Sequence, residues 1–227
     1  MEQGFVKVAS ATPRIRVADP VYNAQVICEQ AKEAAEHGAK IVVFPELCIT
    51  GYTCNDLFLQ ELLLEKAKEA LLTIAEETGQ LETLFLVGLP VDKDGRLYNV
   101  AAVLYRGRIL GMIPKKNIPM YAEFYEGRHF TPGEETVTEY RLGKQVIPFG
   151  SNLLFRCEEL PELILGCELC EDLWVAEPPS TSHALMGATV IANLSASNET
   201  VSKDDYRTLL IKASSARLLC GYIYTSA

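Results

Sequence analysis

Apolar positions change their period along the chain, and the changes mark its elements. Phe5-Val6-Lys7-Val8-Ala9-Ser10 alternates and predicts a strand. Asp19-Pro20 offers a helix N-cap with proline at the first helical position. Val21, Ala24, Ile27, Cys28, Ala31, Ala34 and Ala35 follow at three- and four-residue steps, so a helix should run to about His37, with Gly38 closing it in a left-handed conformation. The apolar, β-branched run of residues 39–44 is the pattern of a strand covered on both faces. Asn55 or Asp56 is placed to cap a second helix through about Thr78, with Leu64, Ala67, Leu71 and Ile74 on its inner stripe. Another two-sided strand is predicted over 84–89.

Beyond this point the pattern shifts to strands. Asp92-Lys93-Asp94-Gly95 reads as a hairpin turn between strands over 84–89 and 97–105, and a further strand follows over 108–113. Residues 114–143 show no clear period but hold Tyr121, Phe124, Tyr125, Phe130 and Tyr140, which predicts an ordered functional loop. Strands over 152–156 and 162–167, a short helix over 182–186, a strand over 189–194, a helix over 204–220 and a strand over 222–225 complete the reading. Alternating strands and helices with buried strands predict one layered α/β domain spanning residues 1–227.

Composition narrows the class. The chain has 227 residues, of which 48% are hydrophobic and 22% charged, values that exclude a disordered or fibrous chain. Its net charge of −9 disfavours nucleic acid as a partner. Apolar runs such as Ile41-Val42-Val43-Phe44 are far shorter than a membrane span needs, so no membrane partner is expected. Met1-Glu2-Gln3-Gly4 lacks the basic start and apolar stretch of a leader, which predicts a cytoplasmic protein. The seven cysteines have no regular spacing and should be mostly reduced and buried.

Three reactive side chains fall at the ends of apolar strands, where open α/β sheets place their sites. Glu46, in Phe44-Pro45-Glu46-Leu47, is a carboxylate in apolar surroundings and a candidate general base, although a structural ion pair would give the same pattern. Lys115 ends the strand over 108–113 and can offer an ammonium to a developing oxyanion, with Lys116 turned to solvent. Cys170, in Cys167-Glu168-Leu169-Cys170-Glu171-Asp172, is set as a nucleophile at a strand end. Cys167 and Cys170 also form a lone C-x-x-C, but no second pair and no ligand spacing among His37, His129 and His183 support a metal. A Cys-His arrangement through His129 or His183 would leave Glu46 and Lys115 unexplained.

Taken together, F-P-E-L-x-x-x-G-Y around Glu46, P-K-x-x-I-P-x-Y around Lys115 and G-x-x-x-C-E-D-L-W around Cys170 resemble the Glu-Lys-Cys triad of the nitrilase superfamily of carbon-nitrogen hydrolases. Within it, Tyr121-Ala122-Glu123-Phe124-Tyr125-Glu126, Pro178-Pro179-Ser180 and Ala192-Asn193-Leu194-Ser195-Ala196-Ser197 look most like the glutaminase domain of glutamine-dependent NAD synthetases. The resemblance implies an α-β-β-α sandwich, four-layered on dimerisation in a homo-oligomer. It implies hydrolysis of L-glutamine to glutamate and ammonia by Cys170, Glu46 and Lys115. Tyr121, Ser197, Lys203 and Glu171 would bind glutamine, Glu123 would be an accessory carboxylate beside the lysine, and Tyr52 and Trp174 could line the pocket. No cofactor is expected in this domain. The family's ATP- and Mg-dependent amidation of deamido-NAD belongs to a synthetase domain with an S-G-G-x-D-S loop. The 227 residues contain no such loop and stop on a predicted strand, so they read as the front part of a longer protein whose fold is C-terminally truncated. A free-standing amidase or N-carbamoyl hydrolase and a catalytically silent assembly module are the alternatives.

Overall fold

The computed structural model describes residues 4–227; Met1-Glu2-Gln3, the start of the segment read as no leader, lie outside the described residues. Its elements are two β-sheets packed face to face with two helices on each outer side. Strand β1 (Val8–Ser10) leads into helix α1 (Pro20–Glu36), β2 (Ile41–Val43) and α2 (Glu61–Glu77). Three long neighbours follow, β3 (Leu84–Lys93), β4 (Arg96–Tyr105) and β5 (Arg108–Pro114), then the hairpin β6 (Thr138–Leu142) and β7 (Gln145–Phe149). The remaining elements are β8 (Leu154–Arg156), β9 (Ile164–Leu169), α3 (Pro179–Leu185), β10 (Val190–Ser195), α4 (Lys203–Leu218) and β11 (Gly221–Ser226).

The first sheet has the order β1-β2-β3-β4-β5-β7-β6, parallel over β1, β2 and β3 and antiparallel from β3 through β5. The second has the order β11-β10-β9-β8, with β9, β10 and β11 parallel. Because side chains alternate across a strand, one apolar run serves two cores. Ile41, Val43, Leu86, Ala101 and Val103 point between the sheets against Leu165, Cys167, Leu169, Ala192 and Leu194. Their neighbours Val42, Phe85, Val87 and Ala102 point outward against Ile27 and Ala31 of α1 and Ala67, Leu71 and Ile74 of α2. On the far side, Ala188, Ile191 and Cys220 pack with Ala184 and Leu218 around α3 and α4. The order of layers is therefore α-β-β-α, as the resemblance implies.

Local chemistry sets the boundaries. Asp19 Oδ1 accepts from the Tyr22 N–H at 3.1 Å, Pro20 opens α1, and Gly38 follows it with φ +82°. Neither Asn55 nor Asp56 caps α2. Asn55 sits at φ 50° inside tight turns over Tyr52–Leu59, Asp56 is bonded to Arg128 and His129, and the helix starts after Gln60. Its buried stripe is Leu63, Ala67, Ala70, Leu71, Ile74 and Ala75, so Leu64 lies beside the stripe rather than in it. The aperiodic reading of 114–143 holds only as far as β6. Tyr140 and Leu142 alternate inward there, opposite Ile147 and Gln145 of β7, and the short β-period was masked by the irregular chain before it.

A buried polar chain crosses the second sheet. Glu168, 1% exposed on β9, accepts from Ser180 N at 2.8 Å and from the Tyr222 hydroxyl, while Asn193 Nδ2 donates to Tyr222 at 3.3 Å. Burial pushes the Glu168 carboxyl up to about 7, against the opposing hydrogen bond from Tyr222. As pH rises from about 4.5 the unfolded chain ionises this residue first while the fold holds its proton, so native stability falls until about pH 7. Glu168→Gln should remove that slope. Urea unfolding at pH 4.5 and pH 8 should show the variant gaining on the order of 3 kcal/mol relative to the parent between them; parallel pH curves would refute the assignment.

Candidate active site

The ends of β2, β5, β9 and β10 meet at one edge of the sandwich, and each delivers one piece of the site. Past β2 the chain turns through Phe44-Pro45-Glu46 directly over Gly88 of β3. A Cβ at Gly88 would lie 2.3 Å from Leu47 N, so only glycine lets this turn settle on the sheet. Glu46 is 1% exposed. Its Oε1 accepts from Asn99 Nδ2 and Lys115 Nζ, both at 2.7 Å, and its Oε2 accepts from Ala196 N, just past β10, at 2.9 Å.

Lys115, one residue past β5, is completely buried. Its Nζ donates to Glu46 Oε1 at 2.7 Å and to Glu126 Oε1 at 2.6 Å, which uses two of the three ammonium protons. Burial opposes the Lys115 charge, but the charges of Glu46 and Glu126 outweigh it and hold the ammonium well above its ordinary range. Glu126 is the carboxylate beside the lysine; it also accepts from the Tyr52 hydroxyl at 2.8 Å, and burial followed by the Glu46 charge pushes it up. Glu123, expected in that place, is instead exposed on the pocket wall. The correction has a physical reason: in an aperiodic loop the distance from Lys115 in sequence says nothing about distance in space. Tyr52, expected to line the pocket, lies beneath it as the partner of Glu126.

Cys170 opens a tight turn (Cys170–Leu173) immediately after β9 and sits at φ 41°, a left-handed conformation rare for a residue with a Cβ. Its thiol is pushed up from the ordinary value, first by burial and then by the Glu46 charge, while Lys115 and the Ala196 N–H pull it down. Burial and the Glu46 carboxylate outweigh the lysine, so the resting group is a thiol beside a carboxylate. The other thiols lie away from this pocket. Cys167 faces the inter-sheet core, which separates the two members of the C-x-x-C. Among the described residues no three His, Cys, Asp or Glu side chains are placed to hold a metal ion. His129 bonds to Asp56 and His183 to the Ser151 carbonyl, so neither supplies a partner for Cys170.

Above Cys170 opens a pocket of about 300 Å³ lined by Tyr121, Glu123, Phe124, Glu171, Trp174, Ser197, Asn198, Thr200 and Lys203. Tyr121 donates to Glu171 Oε2 at 2.8 Å. Lys203, the first residue of α4, bonds to Asn198 and lies 5.4 Å from the ring centres of both Phe124 and Trp174. One wall of the pocket thus carries a carboxylate and another an ammonium, with the thiol at the floor. Of the positions singled out in the sequence, the structure brings Tyr121, Glu123, Cys170, Glu171, Trp174, Ser197 and Lys203 to this pocket, with Glu46 and Lys115 beneath it. Sequence reasoning missed Glu126 and Asn99. Asn99, buried within the apolar run of β4, was the one legible signal, because a buried amide in a strand needs partners.

Comparison with known proteins places the chain in a family. A glutamine-dependent NAD(+) synthetase of Mycobacterium tuberculosis is 41% identical over 226 residues, covering 100% of this chain and 33% of the relative. The crystal structure of a glutamine-dependent NAD(+) synthetase from Cytophaga hutchinsonii superposes with a TM-score of 0.86 at 29% identity, over 97% of this chain and 36% of that one. An amidase from Nesterenkonia sp. shares the fold, with a TM-score of 0.73 at 20% identity over 97% of this chain and 75% of the amidase. The chain spans about a third of the length of the synthetases it matches. The carbon-nitrogen hydrolase family model covers residues 7–224, nearly the whole chain, and the protein belongs to that family.

Proposed function

We propose that this chain is a glutamine amidohydrolase module that releases ammonia from L-glutamine. The observation that carries the reading is the convergence of a thiol, a pinned carboxylate and a buried ammonium at the floor of a pocket whose walls present opposite charges. An α-amino acid carries one group of each sign, so Glu171 with Tyr121 suits its ammonium and Lys203 its carboxylate. Ser197, which lines the same pocket, would orient the amide.

The chemistry follows from the charges. Glu46 takes the Cys170 proton as the sulfur attacks the amide carbon, and the oxygen becomes an anion. The remaining Lys115 proton faces that anion, joined by the Glu171 N–H, which has no partner inside its turn. Glu46 returns the proton to the leaving nitrogen, ammonia departs, and a thioester remains. Water, deprotonated by Glu46, then opens the thioester and restores the thiol. Glu126 and Asn99 stay fixed and hold Lys115 and Glu46 in place through both halves.

The proposal extends to a longer protein in which the ammonia feeds ATP-dependent amidation of deamido-NAD, within a homo-oligomer. Its motivation is the likeness to NAD(+) synthetases, of which this chain matches about a third. The test for the chain itself is a substrate panel. Ammonia release should favour L-glutamine over L-asparagine, N-carbamoyl amino acids and simple aliphatic amides by at least about 100-fold in kcat/KM, since those either misplace the amide or leave a charged wall unpaired. Equal rates across the panel would point to a general amidase.

A further inference from the structure

Asp172 has no place in the chemistry above, yet it is 1% exposed and its carboxylate meets four N–H groups. Oδ2 accepts from Leu169 N at 3.0 Å and, at the limit of contact, from Lys116 N at 3.5 Å. Oδ1 accepts from Asn117 N at 2.7 Å and Asn117 Nδ2 at 2.8 Å. One of those partners immediately precedes the nucleophile; the others immediately follow the catalytic lysine. Among the described residues no cation forms a salt bridge with Asp172; burial opposes its charge, and these N–H groups support it, with the Lys115 charge nearby. On the opposite side the backbone of Lys115 is fixed by its own N–H to Asn99 O at 2.8 Å and by Gly133 N to its carbonyl at 2.7 Å. Lys115 is therefore fixed to the first sheet, Cys170 stands at the end of the second, and Asp172 is the side chain that bonds across the gap at this point.

The clamp also answers the strain at Cys170. A left-handed nucleophile relaxes unless its neighbours are held, and the Leu169 N–H bound to Asp172 lies directly before the strained residue. We infer that Asp172 is a positioning residue that fixes the Cys170 sulfur against the Lys115 ammonium, acting through the backbones of Leu169, Lys116 and Asn117. No proton transfer is assigned to it, because its four partners are amide N–H groups and the thiol proton already has Glu46 to receive it. The inference uses the assignment of Cys170 as nucleophile but not the identity of the substrate.

Asp172→Asn is nearly isosteric and tests it. An amide has one acceptor oxygen, so its NH₂ must face either the Leu169 N–H or the Asn117 donors, and one attachment opens. The expected result under native conditions is a fall in kcat for glutamine of roughly 10- to 100-fold with KM changed less than about threefold. Alkylation of Cys170 by iodoacetamide should slow by a similar factor. Asn117→Ala removes only one of the four bonds and keeps the fold; it should lower both rates by a few-fold, placing it between parent and Asp172→Asn. Wild-type kcat and wild-type alkylation in a folded Asp172→Asn protein would overturn the inference, as would wild-type values in Asn117→Ala if Asp172→Asn did not fold. Should the parent fail to hydrolyse glutamine at all, the alkylation rates still decide the clamp while the substrate assignment falls on its own.

Discussion

Replacing Cys170 by alanine is expected to lower glutamine hydrolysis by roughly 10⁴-fold or more and to leave the fold intact. The size of the loss follows from covalent chemistry: without the sulfur there is no thioester, and the remaining base, ammonium and pocket assist only direct attack by water. Stability should change by less than about 1 kcal/mol, since the side chain is small and already occupies a strained position. Cys167→Ala makes the contrast. Its sulfur is buried in the inter-sheet core, so the variant should lose stability and keep its activity. A comparison of the two by ammonia release and urea unfolding separates a nucleophile from a packing residue three positions away. A Cys170→Ala protein that retained the parent rate would end the assignment.

Lys115→Met should fail in a different way, through both activity and stability. Among the described residues the ammonium is the only cation bonded to the Glu46 and Glu126 carboxylates, and all three side chains are almost completely removed from water. Burial first, and then the negative charge of Glu46, makes the Cys170 thiol and Glu126 both hold their protons more tightly than usual. Removing the cation leaves the charges uncompensated, at a cost of about 3–5 kcal/mol. Much of that should return in Lys115→Met with Glu126→Gln, since an amide at 126 can still bond to Tyr52 and carries no charge. Activity should not return, because no group remains to meet the oxyanion. Urea unfolding of the parent, single and double variants reads the first claim and ammonia release the second. A single variant within 1 kcal/mol of the parent would mean that the cluster is solvated and its electrostatics unimportant.

How far the sequence reaches depends on whether a residue lies in a periodic element. Glu46, Lys115 and Cys170 were singled out because each ends an apolar strand, where sites of layered α/β domains gather, but only the motifs around them, by their resemblance to a family, joined the three into one set. The two-sided run Ile41-Val42-Val43 likewise announced a sheet with cores on both faces. Glu126 was not legible, although it stands only a few residues from Tyr121. Its position depends on the path of the irregular chain from Pro114 to β6, and that path is set by contacts such as Tyr52 to Glu126 and Asp56 to Arg128 that join distant parts of the sequence. The start of α2 was misplaced for the same reason: Asp56 carries the local signal of a cap, but its carboxylate is spent on Arg128 and His129. The β6–β7 hairpin escaped notice because Tyr140 and Leu142 give only two inward positions, too few to stand out against their surroundings.

The roles of base and oxyanion partner were read in the sequence, whereas the balance of charges was not: burial and the carboxylates Glu46 and Glu126 favour the neutral Cys170 thiol. In the proposed mechanism nucleophile, base and oxyanion partner are separate groups held by separate strand ends, and glutamine recognition is assigned to the walls above them.

The most direct test of that central claim is covalent labelling of the chain by 6-diazo-5-oxo-L-norleucine, a glutamine-shaped electrophile, followed by intact and peptide mass spectrometry. The account predicts one adduct per chain, located on Cys170, suppressed by L-glutamine and much less by L-asparagine. Adducts spread over Cys28, Cys157 and Cys220, or a Cys170 adduct indifferent to glutamine, would contradict it.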